Sequence, residues 1–277
     1  MVVFAQQIAV VLLIVYMLVS SLIASEMGPL EIKKNKTVEY FVDYYKTRGK
    51  KTLEVSLERY RYFRKIVESV IEEEGLPKEI AYIPIVESNY NGNAISKHRA
   101  VGFWQFKYGT AVLFGIEKNQ YIDERQDIEK STRAACKYLK FLYKELGDWD
   151  LVIAAYNMGR INLENVIRKA KTRNFWELVA KGYIRKETKE FVAKFYAITT
   201  IINRGEVKLG EPIDIEKIEL PGGIRLSEVS KITGMSYEEV KMLNPHIKKD
   251  IIPPSGANIY LQKDKAFLVK IFLELRA

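Results

Sequence analysis

The chain has 277 residues, 48% of them hydrophobic and 12% aromatic, and a formal net charge of +9. This composition excludes a disordered chain, and the length accommodates one good-sized core plus a small second module. The positive charge suits an anionic partner, and the lack of a Lys/Arg run or an aromatic RNA-binding signature in the motif-bearing segments ranks nucleic acid last.

Residues 8–19, "IAVVLLIVYMLV", form an unbroken apolar run that continues through "SSLIAS". It has the character of a signal-peptide core, or of a short membrane anchor reaching Ala24, so residues 1–25 are expected to direct export. The charge bias runs against this: Lys33, Lys34 and Lys36 follow the run and no cation precedes it. No cysteine near residue 25 is available for lipid attachment.

A polar link and a helical lead-in (26–65) come next. "SLERYRYFRKIVESVIEEEG" (56–75) carries apolar residues at helical spacing and stops at Gly75. "LPKEIAYIPIVES" restarts a helix, with Pro77 suited to its first turn and Pro84 predicting a bend or displaced hydrogen bond just before Glu87. A loop (89–101) leads to Gly102-Phe103-Trp104-Gln105 and a short helix near 109–115. "STRAACKYLKFLYKELGD" (131–148) reads as a helix capped by Ser131 and ended by Gly147. Helices over 149–159, 162–170 and 187–203 complete a nearly strand-free body, so the spacing predicts an all-α domain over 66–205.

The pattern then changes. Residues 211–220 alternate as a strand and meet Pro221-Gly222-Gly223. Two short helices follow, the second opened by the capping-box spacing of Ser236 and Glu239, and "ANIYLQ" (257–262) closes as a strand. A β-α-α-β module with a terminal helix is therefore predicted over 211–277. The fold class is mainly α.

The chemistry-bearing residues are few. The two histidines, His98 and His246, make no metal motif, and a Ser-His-Asp arrangement would need one of them. The single cysteine, Cys136, sits in a helical pattern and reads as a small buried hydrophobe. No metal and no cofactor are expected. What remains is carboxylate chemistry beside aromatic and amide side chains, which suits a sugar-cleaving cleft.

"GLPKEIAYIPIVESNYN…AISKHRAVGFWQF", then "YIDERQDIEKSTRAACKYLKFLYKELGDWDLVIAAYNMG", then "ETKEFV" occur in that order. Together they resemble the lytic transglycosylase domain of the membrane-bound type D family, over about residues 70–200. "LSEVSKITGMSYEEVKMLNP…IIPPSGANIYL" resembles a divergent LysM domain. The resemblance implies a lysozyme-like helical fold, peptidoglycan glycan strands as partner, and an envelope location with a possible N-terminal membrane attachment. It also implies Glu87 as the single catalytic acid, with Ser96, Phe103, Trp104, Gln105, Tyr156 and Asn157 contacting the sugar. A monomer is expected.

The physical chemistry of the residues agrees with that role for Glu87. A carboxyl at the end of an apolar helix among aromatics is desolvated, which raises its pKa from ~4.3 towards ~6–7, the range of a general acid. Each residue has a plainer reading too: Phe103 and Trp104 as core, Gln105 as a backbone cap, Tyr156 as a packed ring, Asn157 as a helix end. Glu187 reads as a dipole-favoured acid in a first helical turn and stays outside the catalytic set.

The chain departs from the family pattern at Arg99, where glycine is usual, at Lys107-Tyr108, where Met-Pro is usual, and at Phe191, where tyrosine is usual. Arg99 places a charge near the cleft that could meet peptide carboxylates. Two rival functions stay open: a hydrolase on the same fold, using a second carboxylate such as Asp123, Glu124 or Asp127, and a non-catalytic glycan binder.

Overall fold

The computed structural model describes residues 27–276, so the apolar run at 8–24 and the export signal read into it lie outside the described residues. Among the described residues no helix is long and apolar enough to cross a membrane.

The first two helices are α1 (Lys36–Lys46) and α2 (Lys50–Glu73). Asn35 caps α1 by accepting from the backbone N–H groups of Thr37 and Val38. The predicted helix after Pro77 divides in two: a 3-10 turn over Lys78–Tyr82, then α3 (Ile83–Ser88). Pro84 falls in the first turn of α3, where its missing N–H costs no intrahelical bond. It thus starts a new helix and bends none.

After a long loop come α4 (Tyr108–Leu113), α5 (Ile128–Leu146), α6 (Trp149–Met158), α7 (Arg160–Ala170), α8 (Phe175–Ala180) and α9 (Lys186–Asn203). The cap of α5 is Asp127, not Ser131: its carboxylate accepts from Lys130 N–H at 2.9 Å, and the buried Ile128 extends the apolar face by a turn. Ser131 instead turns its hydroxyl back onto the Asp127 carbonyl. Leu151 to Ala155 of α6 are fully buried, as expected of a helix that is apolar on every side. α9 packs on both α1 and α6, while α2 and α6 each pack on α5. Cys136 is fully buried, and burial pushes its thiol up to about 12.

The C-terminal unit is β1 (Ile215–Leu220), α10 (Leu226–Thr233), α11 (Tyr237–Leu243), β2 (Ala257–Gln262) and α12 (Lys263–Glu274). β1 and β2 pair antiparallel, from Ile215 opposite Gln262 to Leu220 opposite Ala257. The Ser236/Glu239 capping box forms as predicted. The strand begins at Ile215 rather than at 211, because the preceding segment is stitched to α2. Arg61 Nε donates to the Glu211 carbonyl at 2.9 Å, and Ile213 N–H donates to the Arg61 carbonyl at 3.0 Å.

The two units share one contiguous apolar core. A bridge joins Ile122 to Ile247, and Asp123 N–H donates to the His246 carbonyl at 3.0 Å. The Tyr260 hydroxyl donates to Asp127 at 2.9 Å, so the second unit braces the segment that leads into α5.

Candidate functional site

Glu87 occupies the last full turn of α3, and the helix end is tightly determined. Asn89 ends it in the left-handed conformation (φ 52°), and the Ser88 hydroxyl donates to the Phe103 carbonyl at 2.8 Å. Serine after the glutamate therefore ties the helix to the loop carrying Gly102–Gln105. Gly102 has φ +85°, and a Cβ there would stand 2.0 Å from the Arg125 carbonyl oxygen, so only glycine lets this loop close against the 123–127 segment.

The loop, the end of α6 and the start of α9 enclose a cavity of about 400 Å³. Glu87, Ser96, Gln105, Tyr156 and Asn157 all line it, although they come from three separate stretches of chain. Ser96 Oγ accepts from the N–H groups of His98 (3.2 Å) and Ala100 (3.0 Å), which fixes a tight turn at the rim. Gln105 Nε2 donates to the carbonyls of Ala94 (3.1 Å) and Gly102 (2.8 Å), so its amide braces the loop from inside. The Tyr156 hydroxyl donates to the Trp104 carbonyl at 2.8 Å, and Asn157 Oδ1 accepts from Thr188 at 2.8 Å.

Phe103 and Trp104 are not on the cavity wall. Both are fully buried, and the Trp104 indole donates to the Thr132 hydroxyl at 3.0 Å on α5. The expectation that their rings contact sugar is corrected: the tight turn after Gly102 sends them into the core, and only the Trp104 carbonyl takes part, by orienting Tyr156. The aromatic wall is instead made by Phe106, Tyr138 and Tyr156, with the Tyr138 and Tyr156 rings 5.6 Å apart. Tyr138 is hidden in sequence because it sits on a helix whose period marks it as core-facing.

Glu87 is half-buried, and among the described residues no side chain hydrogen-bonds or ion-pairs with its carboxyl. Burial, and secondarily the Glu187 carboxylate, push it up to about 8. Burial and then the charge of Glu87 likewise hold the Tyr156 phenol well above its ordinary value. Burial is the larger cause of the shift, and Glu187, from the first turn of α9, adds to it from the wall of the same cavity. Glu187 lies a hundred residues along the chain and opens the ETKEFV stretch, but read alone it passes for an acid favoured in a first helical turn.

The other carboxylates considered have structural work. Asp123 receives Nε (2.9 Å) and Nη2 (2.6 Å) of Arg125, Glu124 accepts from Glu117 N–H and pairs with Lys130, and Asp127 caps α5. None of them lines the Glu87 cavity. Among the described residues no group of His, Cys, Asp and Glu is arranged to hold a metal ion.

Residues 68–179 match the family Transglycosylase SLT domain, and residues 214–273 match the LysM-like domain of lytic transglycosylase MltD. The first match falls in the helical body and the second in the C-terminal unit. Both matches lie inside the two units expected from sequence. The Escherichia coli K12 protein named membrane-bound lytic murein transglycosylase D is 29% identical over 210 residues, covering 72% of this chain and 45% of that protein. An Alteromonas protein named for tributyltin chloride resistance is 35% identical over 117 residues, covering 42% of this chain and 55% of its own length. The chain thus spans about half the length of these relatives. Among solved structures, the 70 kDa soluble lytic transglycosylase of Escherichia coli aligns at 20% identity with a TM-score of 0.46, covering 54% of this chain and 25% of that one. The SLT match contains Glu87 and the whole Gly102–Gln105 loop, while Glu187 falls just beyond it.

Proposed function

We propose that the chain is a cell-envelope lytic transglycosylase that cleaves the MurNAc–GlcNAc bond of peptidoglycan without consuming water. The observation that carries this reading is the unpaired, desolvated Glu87 facing a cavity beside an aromatic wall. With its pKa raised to about 8, Glu87 is protonated at neutral pH and can donate to the bridging glycosidic oxygen. As that bond breaks, positive charge develops at C1 of MurNAc. The resulting carboxylate then takes the proton from the C6 hydroxyl of the same sugar, and O6 closes on C1. The products are a 1,6-anhydro-MurNAc end and a free GlcNAc hydroxyl, and Glu87 is reprotonated at the end of the cycle.

Ser96, Gln105, Tyr156 and Asn157 are read as the groups that orient the sugar, the first two from the loop and the others from the end of α6. The LysM-like module is read as a wall-binding unit, and the apolar run at 8–24 as the export signal or anchor. The name of the Escherichia coli relative, a membrane-bound murein enzyme, supports the envelope location.

Glu187 gives one rival reading some weight. A lysozyme-like hydrolase needs a second carboxylate to activate water or act as nucleophile, and Glu187 lines the Glu87 cavity. Digestion of purified sacculi followed by mass spectrometry of the products separates the two. Anhydro ends are expected; reducing ends would establish the hydrolase. Glu87→Gln is expected to lower turnover by at least ~100-fold. Sustained turnover by that variant would remove Glu87 from the mechanism.

A further inference from the structure

A second cavity of about 700 Å³ lies on the other side of the 95–108 loop and shares His98 and Lys107 with the first. Arg99, Lys107 and Tyr108, where the chain departs from the pattern of the family it resembles, all line it, together with Lys118 and Arg125. Among the described residues no carboxylate lines it. Residues that look like scattered substitutions in sequence therefore meet in one place.

The charges in this cavity do not cancel. The Arg125 guanidinium is buried and spent on Asp123, with its remaining nitrogen donating to the carbonyls of Phe106 (3.3 Å) and Arg99 (3.4 Å). Lys118 leans on the same carboxylate at 3.7 Å, so one acid serves two cations. Arg99 and Lys107 are exposed, and among the described residues neither has an ion-pair partner. The cavity therefore carries a net positive charge, held in a concave surface where the field is concentrated.

The surface is also built. Arg99 has φ 61°, a left-handed conformation that a non-glycine residue adopts at a cost of about 1 kcal/mol. The turn that imposes this is fixed by Ser96, whose carbonyl accepts from Arg99 N–H at 2.9 Å. The Tyr108 ring is 47% exposed and is backed by Arg125 at 5.6 Å and Lys118 at 6.0 Å, which hold it as a flat apolar floor.

We propose that this basic cavity is a second substrate subsite, which takes the carboxylates of a short peptide branch carried by the sugar bound in the Glu87 cavity. The inference rests on the functional reading above. A peptide attached to a sugar seated against Ser96 has only the 96–100 turn to cross. Arg99 and Lys107 then meet its carboxylates while Tyr108 covers its aliphatic portion.

The test compares glycan strands that retain their peptides with strands from which an amidase has removed them, using the full chain and the double variant Arg99→Gly/Lys107→Gln. Glycine at 99 relieves the backbone strain, so loss of folding does not confound that substitution. The ratio of kcat/KM for peptide-bearing over peptide-free glycan should fall about 10-fold in the variant, mainly through KM, and the wild-type ratio should shrink with added salt. An unchanged ratio, with both glycans cleaved by both proteins, overturns the subsite and leaves the functional reading standing. Failure of the wild type to cleave either glycan brings down the functional reading and the subsite with it.

Discussion

The two ends of α6 treat a buried carboxylate in opposite ways. At the first turn Asp150 is buried and raised above its ordinary value by that burial, yet it accepts a hydrogen bond from the Tyr196 hydroxyl of α9. At the last turn Tyr156 and Asn157 face Glu87, which is also raised by burial but has no hydrogen-bond or ion-pair partner among the described residues and opens on a cavity. Desolvation is common to both. The difference lies in who satisfies the oxygens: the protein itself at Asp150, whatever enters the cavity at Glu87. A shifted carboxyl is therefore a poor guide to chemistry until its partners are known.

Three substitutions break or sharpen this contrast. The largest effect is expected from Asp150→Ala, which leaves the buried Tyr196 hydroxyl without its acceptor and costs about 1–3 kcal/mol in denaturant unfolding. Activity per folded molecule should persist; a loss of kcat without a loss of stability would give Asp150 a part in the chemistry.

Glu87→Gln should act in the other direction. The folded-state pKa of Glu87 lies at about 8, above its value of 4.5 in the unfolded chain, so native protein binds the extra proton between these values. Wild-type stability from this group is complete below pH 4.5 and declines as pH rises through about 8. The variant should match the wild type in acid and exceed it by about 2 kcal/mol at pH 9, a figure reduced for the solvent that reaches the cavity. Parallel stability curves from pH 5 to 9 would mean that Glu87 is not desolvated.

The smallest effect belongs to Glu187→Gln. Removing its charge should move the alkaline limb of the rate profile to lower pH by less than about one unit, because burial is the larger cause of the Glu87 shift. A collapse of turnover at every pH would instead assign Glu187 a direct role and favour the hydrolase.

Much of the helical body was legible because amphipathic period and caps are local signals. The glutamate closing an apolar run, the capping box at Ser236 and the glycine stops at 75, 147 and 234 all follow from neighbours within one or two turns. The errors share a cause at longer range. Trp104 is drawn inward by Thr132, which lies 28 residues away, and Glu187 reaches the cavity only because α9 packs against α6. Asp127 displaces Ser131 as the cap of α5 because the buried Ile128 prolongs the helix, a preference that only the folded core reveals. The second cavity was half visible: Arg99 and Tyr108 stood out in sequence, but their meeting with Lys118 and Arg125 depends on the loop closing over Gly102.

The stitching of residues 211–213 to α2, and of Ile247 and Tyr260 to the 122–127 segment, bears on how the molecule would work against a large insoluble meshwork. A gripping module on a slack tether lets its enzyme graze over an area set by tether length. Here the small unit is joined to the helical body by direct hydrogen bonds and a shared apolar core, with no slack tether between them. If the small unit is the wall-binding unit proposed above, its grip would hold Glu87 at one height and one angle above the surface, and the next bond would come within range only when the grip is released and taken again.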